Sequence, residues 1–342
     1  MKVRLWIAVW LAATMMACAG KAQEGSDADG SGASGAEAST SAAEVSGAFE
    51  GAPVADADTL YAKVKTQVDF GPRTPGSKGH AACAAWIAEQ LRSHGIDSIS
   101  IGNQKVTTAA GLIIPARNIF ASIRPEAPER IILLAHYDTR PMADQEPDKA
   151  LRTKPIDGAN DGASGVAVLL ECARLLAAEG ALPDDRGIDL LFTDVEDSGD
   201  SEAAGEESWC LGSRQWAENM PYKAGKRPVY GILLDMVGGR GARFHREYFS
   251  NRYAPTVVNR VWAVARQSGF EDRFPNEPGG AIVDDHVPLN EAGIPTVDII
   301  ESVNSETGSF NPTWHTLSDN LEAIDAETLR IVTQTVLNTI TQ

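Results

Sequence analysis

The chain has 342 residues, 43% of them hydrophobic, which is enough to bury a large core in one domain. Its formal net charge of −17 argues against nucleic-acid partners. Four cysteines with no CxxC spacing argue against a thiolate metal cluster.

Residues 1–18 read as an export signal. Lys2 and Arg4 give the positive start, and Leu5 to Met16 gives an apolar segment too short for a comfortable membrane span. Met15-Met16-Ala17-Cys18 places a small residue before a Cys, as in a bacterial lipoprotein cleavage site. Cys18 is therefore expected to be the lipidated first mature residue. It would anchor an exported protein in the bacterial cell envelope, in the periplasm or at the outer membrane; plain secretion is the alternative. Residues 19–52, rich in Ser, Gly, Ala, Asp and Glu, cannot pack and read as a disordered tether. Residues 53–342 then form one domain.

Asp58 to Asp69 is a predicted helix, broken by the Pro- and Gly-rich loop Phe70 to Ser77. A second helix, His80 to Gly95, spaces Ala84, Ile87, Ala88 and Leu91 on one face. Ser98 to Val106 and Arg117 to Ile123 read as strands. Ile131 to Ala135 is a short apolar run ending in His136-Tyr137-Asp138. The loop Gly158 to Gly165 carries Asp161 and leads into a helix, Val166 to Ala178, that is apolar almost all round and therefore buried. Asp189 to Thr193 ends in Asp194-Val195-Glu196-Asp197, Tyr230 to Leu234 in Asp235, and Thr296 to Ile300 in Glu301. Helices at Gly212 to Asn219, Pro255 to Ser268 and Glu327 to Thr339 fill the intervals. Short apolar runs between helices read as buried parallel strands. The alternation predicts an α/β fold: a three-layer αβα sandwich around a central mixed, mostly parallel sheet. Cys83, Cys172 and Cys210 could form at most one disulfide. With no heptad or exposed apolar stripe, a monomer is expected.

In open α/β sheets ligands bind beyond the carboxyl ends of the strands, so the acids and histidines at these run ends should converge on one edge. Asp, Glu and His with little Cys suit a hard-to-borderline cation, zinc first. Asp161 is a candidate ligand, because Gly158, Gly162 and Gly165 let its loop turn sharply; the alternative is a helix cap by Asp161 or Ser164. Glu196 and Asp197 are adjacent behind a strand, so one could bind metal while the other moves protons. The plainer reading, an acidic surface loop, suits Asp200, Glu202, Glu206 and Glu207 better. His315, in Phe310 to Thr316, is the third candidate.

These segments together resemble the zinc-dependent exopeptidase superfamily, and within it the glutaminyl-peptide cyclotransferases. The matching stretches are Ala135 to Pro141, Gly158 to Gly165, Phe192 to Asp197, Trp209 to Arg214, Leu233 to Asp235, Asp284 to Pro288 and Trp314 to Thr316. The resemblance implies one zinc held by Asp161, Asp197 and His315. It implies Glu196 as the proton-transferring acid/base, Asp235 and Asp284 as its acidic network, and Trp314 as a wall of the substrate pocket. The substrates implied are peptides and proteins with an N-terminal Gln, which would be closed to pyroglutamate with loss of ammonia. Two departures stand out. Asp197 occupies a place where animal cyclases carry Glu, and their second pocket Trp is missing after the acidic pair; Trp209 is the candidate to replace it. The rival is a two-zinc aminopeptidase of the same fold, with His136 and Asp235 holding a second zinc. A third reading is a lipid-anchored peptide-binding protein without catalysis, against which the intact Glu196 and ligand set stand.

Overall fold

In the computed structural model, which describes residues 47–342 other than Ala224, the apolar runs become the strands of one sheet. Helices α1 (Ala57–Asp69) and α2 (Lys78–Ser93) come first. Strands β1 (Ile99–Ile101), β2 (Gln104–Thr107), β3 (Ile113–Ala116), β4 (Ile119–Ile123) and β5 (Glu129–His136) follow. Then come α3 (Ala163–Leu176), β6 (Arg186–Thr193), the single turn α4 (Ser201–Ala204), α5 (Leu211–Glu218) and β7 (Tyr230–Leu234). The chain ends through α6 (Tyr248–Tyr253), α7 (Pro255–Gln267), α8 (His286–Glu291), β8 (Thr296–Ile299) and α9 (Ala326–Thr341). The signal and most of the tether lie outside the described residues.

The sheet order is β1-β4-β6-β5-β7-β8. The four strands β6, β5, β7 and β8 are parallel, while β4 and β1 add an antiparallel margin. This is the expected mixed, mostly parallel sheet. Alternation along β5 builds the layers. Ile131, Leu133 and Ala135 enter the large core with residues of α1, α3, α7 and α9. Ile132 and Leu134 face a smaller core with Leu191, Leu233, Trp216 and Leu289, under α5 and α8.

Two local expectations shift. The predicted strand 98–106 is two short strands, because the chain leaves the main sheet at Gly102 and β2 pairs instead with β3. Pro115 sits within β3, which among the described residues pairs on one side only, where a missing donor is tolerated. The folded part also begins before Pro53. Phe49 N donates to Asn338 Oδ1 at 3.1 Å, and Asn338 Nδ2 donates to Gly47 O at 2.8 Å. The composition of the segment hid this, because its partners are side chains of α9. Cys83, Cys172 and Cys210 are all free and buried.

The buried helix α3 contains one charge that needs an answer. Glu171 is fully buried, 2.8 Å from Lys63 Nζ of α1 and 2.6 Å from Arg174 Nη2. Burial pushes its carboxyl upward, but the hydrogen bonds from Arg174 and Lys63 outweigh that and hold it below the usual range. A depressed acid stabilises the fold above its unfolded value and loses that contribution as pH falls through the folded one. Glu171→Gln is expected to cost about 3 kcal/mol at neutral pH, since it strands Lys63 without its counter-charge. Denaturant titration should show the gap to wild type closing as pH falls below about 4.3.

Candidate metal centre

β5 ends on His136, β6 runs out into Asp194 to Asp197, and β7 is followed directly by Asp235. Parallel pairing in register sets these carboxyl ends side by side. The loop before α3 then carries Asp161 across them, and the segment after β8 returns His315. Donor atoms of Asp161, Asp197 and His315 all lie within 4.8 Å of one another. His315 Nε2 is 3.1 Å from Asp197 Oδ1 and 3.6 Å from Asp161 Oδ2. The other Asp161 oxygen, Oδ1, is 3.0 Å from His136 Nε2, which is 3.1 Å from Asp235 Oδ1. His136, Asp161 and Asp235 thus form a second donor group sharing Asp161. Glu301 does not join: it is buried against Asn304 and Asn311 at 3.0 Å each. His286 sits apart as well, 3.2 Å from Glu247.

The loop geometry explains how Asp161 gets there. Gly158 and Gly162 adopt φ of 58° and 94°, and a Cβ on Gly165 would stand 2.1 Å from Leu234 O. Gly162, not Asp161, occupies the cap position of α3, and no side chain caps that end. The Asp161 carboxylate is therefore free of the helix. Asp319 accepts from Asn160 N at 2.8 Å and from Asp161 N at 3.1 Å. Arg73, fully buried, donates to Tyr137 O, Asp157 O and Gly158 O. Asp138 does the same service for the acidic pair, accepting from Glu196 N at 3.2 Å and Asp197 N at 3.3 Å. Asp144 stands 3.1 Å from His315 Nδ1, a close ionic contact rather than an aligned hydrogen bond. Sequence reasoning assigned none of these four supporting residues. Asp138 lay inside a quoted motif, but Arg73, Asp144 and Asp319 had no signal that spacing could reveal.

Backbone strain is concentrated here. Among the described residues five non-glycines adopt left-handed φ, and four of them, Val195, Cys210, Met236 and His315, border the site. A β-branched residue at φ 56°, as at Val195, persists only when its surroundings over-determine it. Asp194 Oδ1 accepts from Val195 N, while Val195 O and Glu196 O accept from Leu211 N and Cys210 N. The kink carries the acidic pair inward, which brings the shorter Asp197 into contact with His315.

The donor set suits a divalent cation. It offers two carboxylates and an imidazole, the hard-to-borderline mixture of a catalytic zinc site. Asp197 Oδ2 is buried with no hydrogen-bonding partner, as a ligand oxygen would be. Burial and the neighbouring Asp161 raise Asp197 to about 6. Burial alone would lower His315, but Asp197, Asp144 and Asp161 raise it to about 9. A bound cation takes the place of such protons, because ligands must be deprotonated. Beside this centre, Glu196 is held well above the usual carboxylate range by burial and by Asp197, Asp284 and Asp285. Asp284 is raised by burial and by Asp235 and Asp285.

The centre opens into a pocket of about 210 Å³ lined by Asp161, Glu196, Asp197, Asp235, Asp284, His315, Trp209, Phe310 and Trp314 among others. Drug-sized ligands occupy clefts of roughly 300–1,000 Å³, so this one fits a single side chain better. Trp314 stacks on His315 at 3.9 Å between ring centroids, and Trp209 stacks on the same imidazole at 6.0 Å. Arg140 lies 4.7 Å over the Trp209 ring and donates to Asp197 O and Gly199 O. Trp209 thus reaches the pocket despite its distance in sequence from the acidic pair.

Groups that orient metal ligands typically control affinity by roughly 10–100-fold. Asp319→Asn removes the charge that fixes the Asp161 loop and is expected to weaken zinc binding within that range. Competition against a chelator of known affinity checks this, with circular dichroism as the control for folding.

Residues 118–340 match the family model described as Peptidase family M28. The chain is similar to Bacteroides thetaiotaomicron glutaminyl cyclase bound to N-acetylhistamine. That structure is 44% identical, with a TM-score of 0.81 over 85% of this chain and 99% of the other. It is 29% identical over 222 residues to aminopeptidase YwaD of Bacillus subtilis, covering 63% of this chain and 42% of that one. It is 28% identical over 244 residues to the glutaminyl-peptide cyclotransferase of Bothrops jararaca, covering 62% of this chain and 61% of that one. The chain therefore spans 42% and 61% of the lengths of these two curated relatives. By the matched family model and the likeness to the bacterial structure over 85% of its length, the chain belongs to peptidase family M28 and groups there with the bacterial glutaminyl cyclases.

Proposed function

We propose that the protein is a zinc-dependent glutaminyl-peptide cyclotransferase that converts the N-terminal Gln of peptides and proteins to pyroglutamate with release of ammonia. The observation that carries this is the pairing of a metal-binding donor set with a raised, pocket-lining carboxyl, Glu196, under an aromatic wall sized for one side chain. The 44% identity to a glutaminyl cyclase along 85% of the chain supports it.

Asp161, Asp197 and His315 would hold the zinc. When bound, it polarises the γ-carboxamide carbonyl and offsets the charge that develops on its oxygen. Trp314, Trp209 and Phe310 exclude water and orient the Gln side chain so that its own α-amine faces the carboxamide carbonyl carbon, Cδ. The amine nitrogen bonds to that carbon, and the bond to the carboxamide nitrogen breaks. Glu196 accepts the proton from the amine and returns it to the departing nitrogen, which leaves as ammonia. Its raised pKa suits a group that must both take and give a proton near neutrality, a role typically worth ~10²–10⁴ in rate. Asp284 acts directly on it, and Asp235 acts in turn on Asp284.

The second reading is a two-zinc aminopeptidase, favoured by the single observation that His136 and Asp235 also converge on Asp161. A cyclase should release ammonia from Gln-peptides, leave leucine anilides intact and bind near one zinc per chain. Leucine release with two zinc ions would establish the peptidase instead. Glu196→Gln is expected to retain zinc and lower kcat by about 10²-fold or more, the usual size of a lost acid/base. Wild-type turnover in that variant would remove Glu196 from the mechanism.

Export and lipid anchoring through Cys18 complete the proposal, with the protein held at the bacterial cell envelope as a monomer. The basic start, the short apolar stretch and Ala17-Cys18 support it. Detergent-phase partitioning in the native host should be lost in Cys18→Ala; retention would exclude acylation there.

A further inference from the structure

Cys210 is the buried thiol that the reaction above does not use. It ends the loop after the acidic pair in a left-handed conformation, φ 57°, and its amide is fixed on Glu196 O at 3.0 Å. This turns its Sγ to 3.5 Å from Glu196 Oε1. Donor atoms of Glu196, Cys210 and Asp284 all lie within 4.8 Å of one another. The group shares no residue with either donor group around Asp161. Asp284 Oδ1 is engaged by Asp285 N, but Asp284 Oδ2 is buried with no hydrogen-bonding partner, and Asp284 is 3% exposed.

We propose that Glu196, Cys210 and Asp284 form a separate, inhibitory site for a thiophilic divalent cation, such as cadmium or excess zinc. Metal–sulfur bonds of about 2.3 Å and metal–oxygen bonds of about 2.1 Å at a tetrahedral angle set sulfur and oxygen about 3.6 Å apart. The Sγ and Oε1 of Cys210 and Glu196 already stand at that separation. Asp284 needs to close by at most about 1.4 Å to complete the three-donor set, and Glu196 and Asp284 both line the pocket. The mixed set discriminates among cations. Calcium and magnesium want oxygen alone, whereas a thiolate selects the softer ions. Binding releases the thiol proton to solvent and ties up the Glu196 carboxylate, so the occupied site cannot move the substrate's proton. The inhibition rests on the proposed role of Glu196, but the site itself does not.

Two readouts separate these claims. The full chain carrying Cys18→Ala, loaded with zinc, keeps only Cys83, Cys172 and Cys210 as thiols. The first two belong to no donor group among the described residues. Titration with cadmium is expected to raise the ultraviolet cadmium–thiolate charge-transfer band to one equivalent, with turnover falling in parallel. Cys210→Ser should abolish the band and raise the cadmium concentration for half-inhibition by about tenfold or more, since the selective sulfur is gone. Asp284→Asn, which keeps the thiol, should retain the band and shift its midpoint upward. A band that persists in Cys210→Ser, or an unchanged midpoint in Asp284→Asn, overturns the site. A band without loss of turnover overturns the inhibition and counts against Glu196 as the base, while the site stands. Equal inhibition of wild type and Cys210→Ser places the inhibitory cation at Asp161 instead.

Discussion

The Asp161 carboxylate faces two imidazoles at once, His136 Nε2 at 3.0 Å from one oxygen and His315 Nε2 at 3.6 Å from the other. Everything at the site is arranged around holding that one side chain still. A carboxylate cannot be buried alone, because removal from water costs far more than a single contact returns. Here two histidines face it, and a cation that the donor set fits would offset the rest of the cost. The loop that presents Asp161 is held from behind by the Asp319 carboxylate on its amides and by the Arg73 guanidinium on its carbonyls. These opposite charges leave the loop little freedom to carry Asp161 away from the strand ends.

Adjacent placement of Glu196 and Asp197 divides the site into two halves. Asp197 turns toward His315 and Asp161, while Glu196 turns toward Asp284 and Cys210. Neighbouring side chains on extended backbone point to opposite sides, and the left-handed turn at Val195 stands between the strand and this pair. The left-handed conformation there is flanked by three hydrogen bonds, one from Val195 N and two from the adjacent amides of Cys210 and Leu211. Strain of this sort costs of order 1–3 kcal/mol per residue, so it survives where the surrounding structure supplies more than that. The large parallel core beneath the strand ends is that supply.

The aromatic wall is equally a product of packing. His315 lies between two indoles, Trp314 from its own segment and Trp209 from the loop before α5. Arg140, seated over Trp209, also bonds the carbonyls of the acidic loop. One cation thus fixes both the wall and the ligand loop, so the pocket and the metal centre cannot move independently.

Much of this was legible in the chain itself. Apolar runs of strand length ending in acids or histidine dictated a parallel sheet with a polar carboxyl edge, because buried strands must be apolar and ligands gather where they end. The three glycines around Asp161 signalled a tight loop for the same steric reason the structure shows. Tertiary structure decided what no spacing encodes. Glu301 ends a strand as Asp235 does, yet it turns into asparagine contacts away from the site, because β8 lies at the sheet margin. Trp209 reaches the pocket from beyond a four-residue helical turn, and Arg73 and Asp319 arrive from opposite ends of the chain. Periodicity reports which face of an element is buried; which distant side chains meet there is settled only when the layers close.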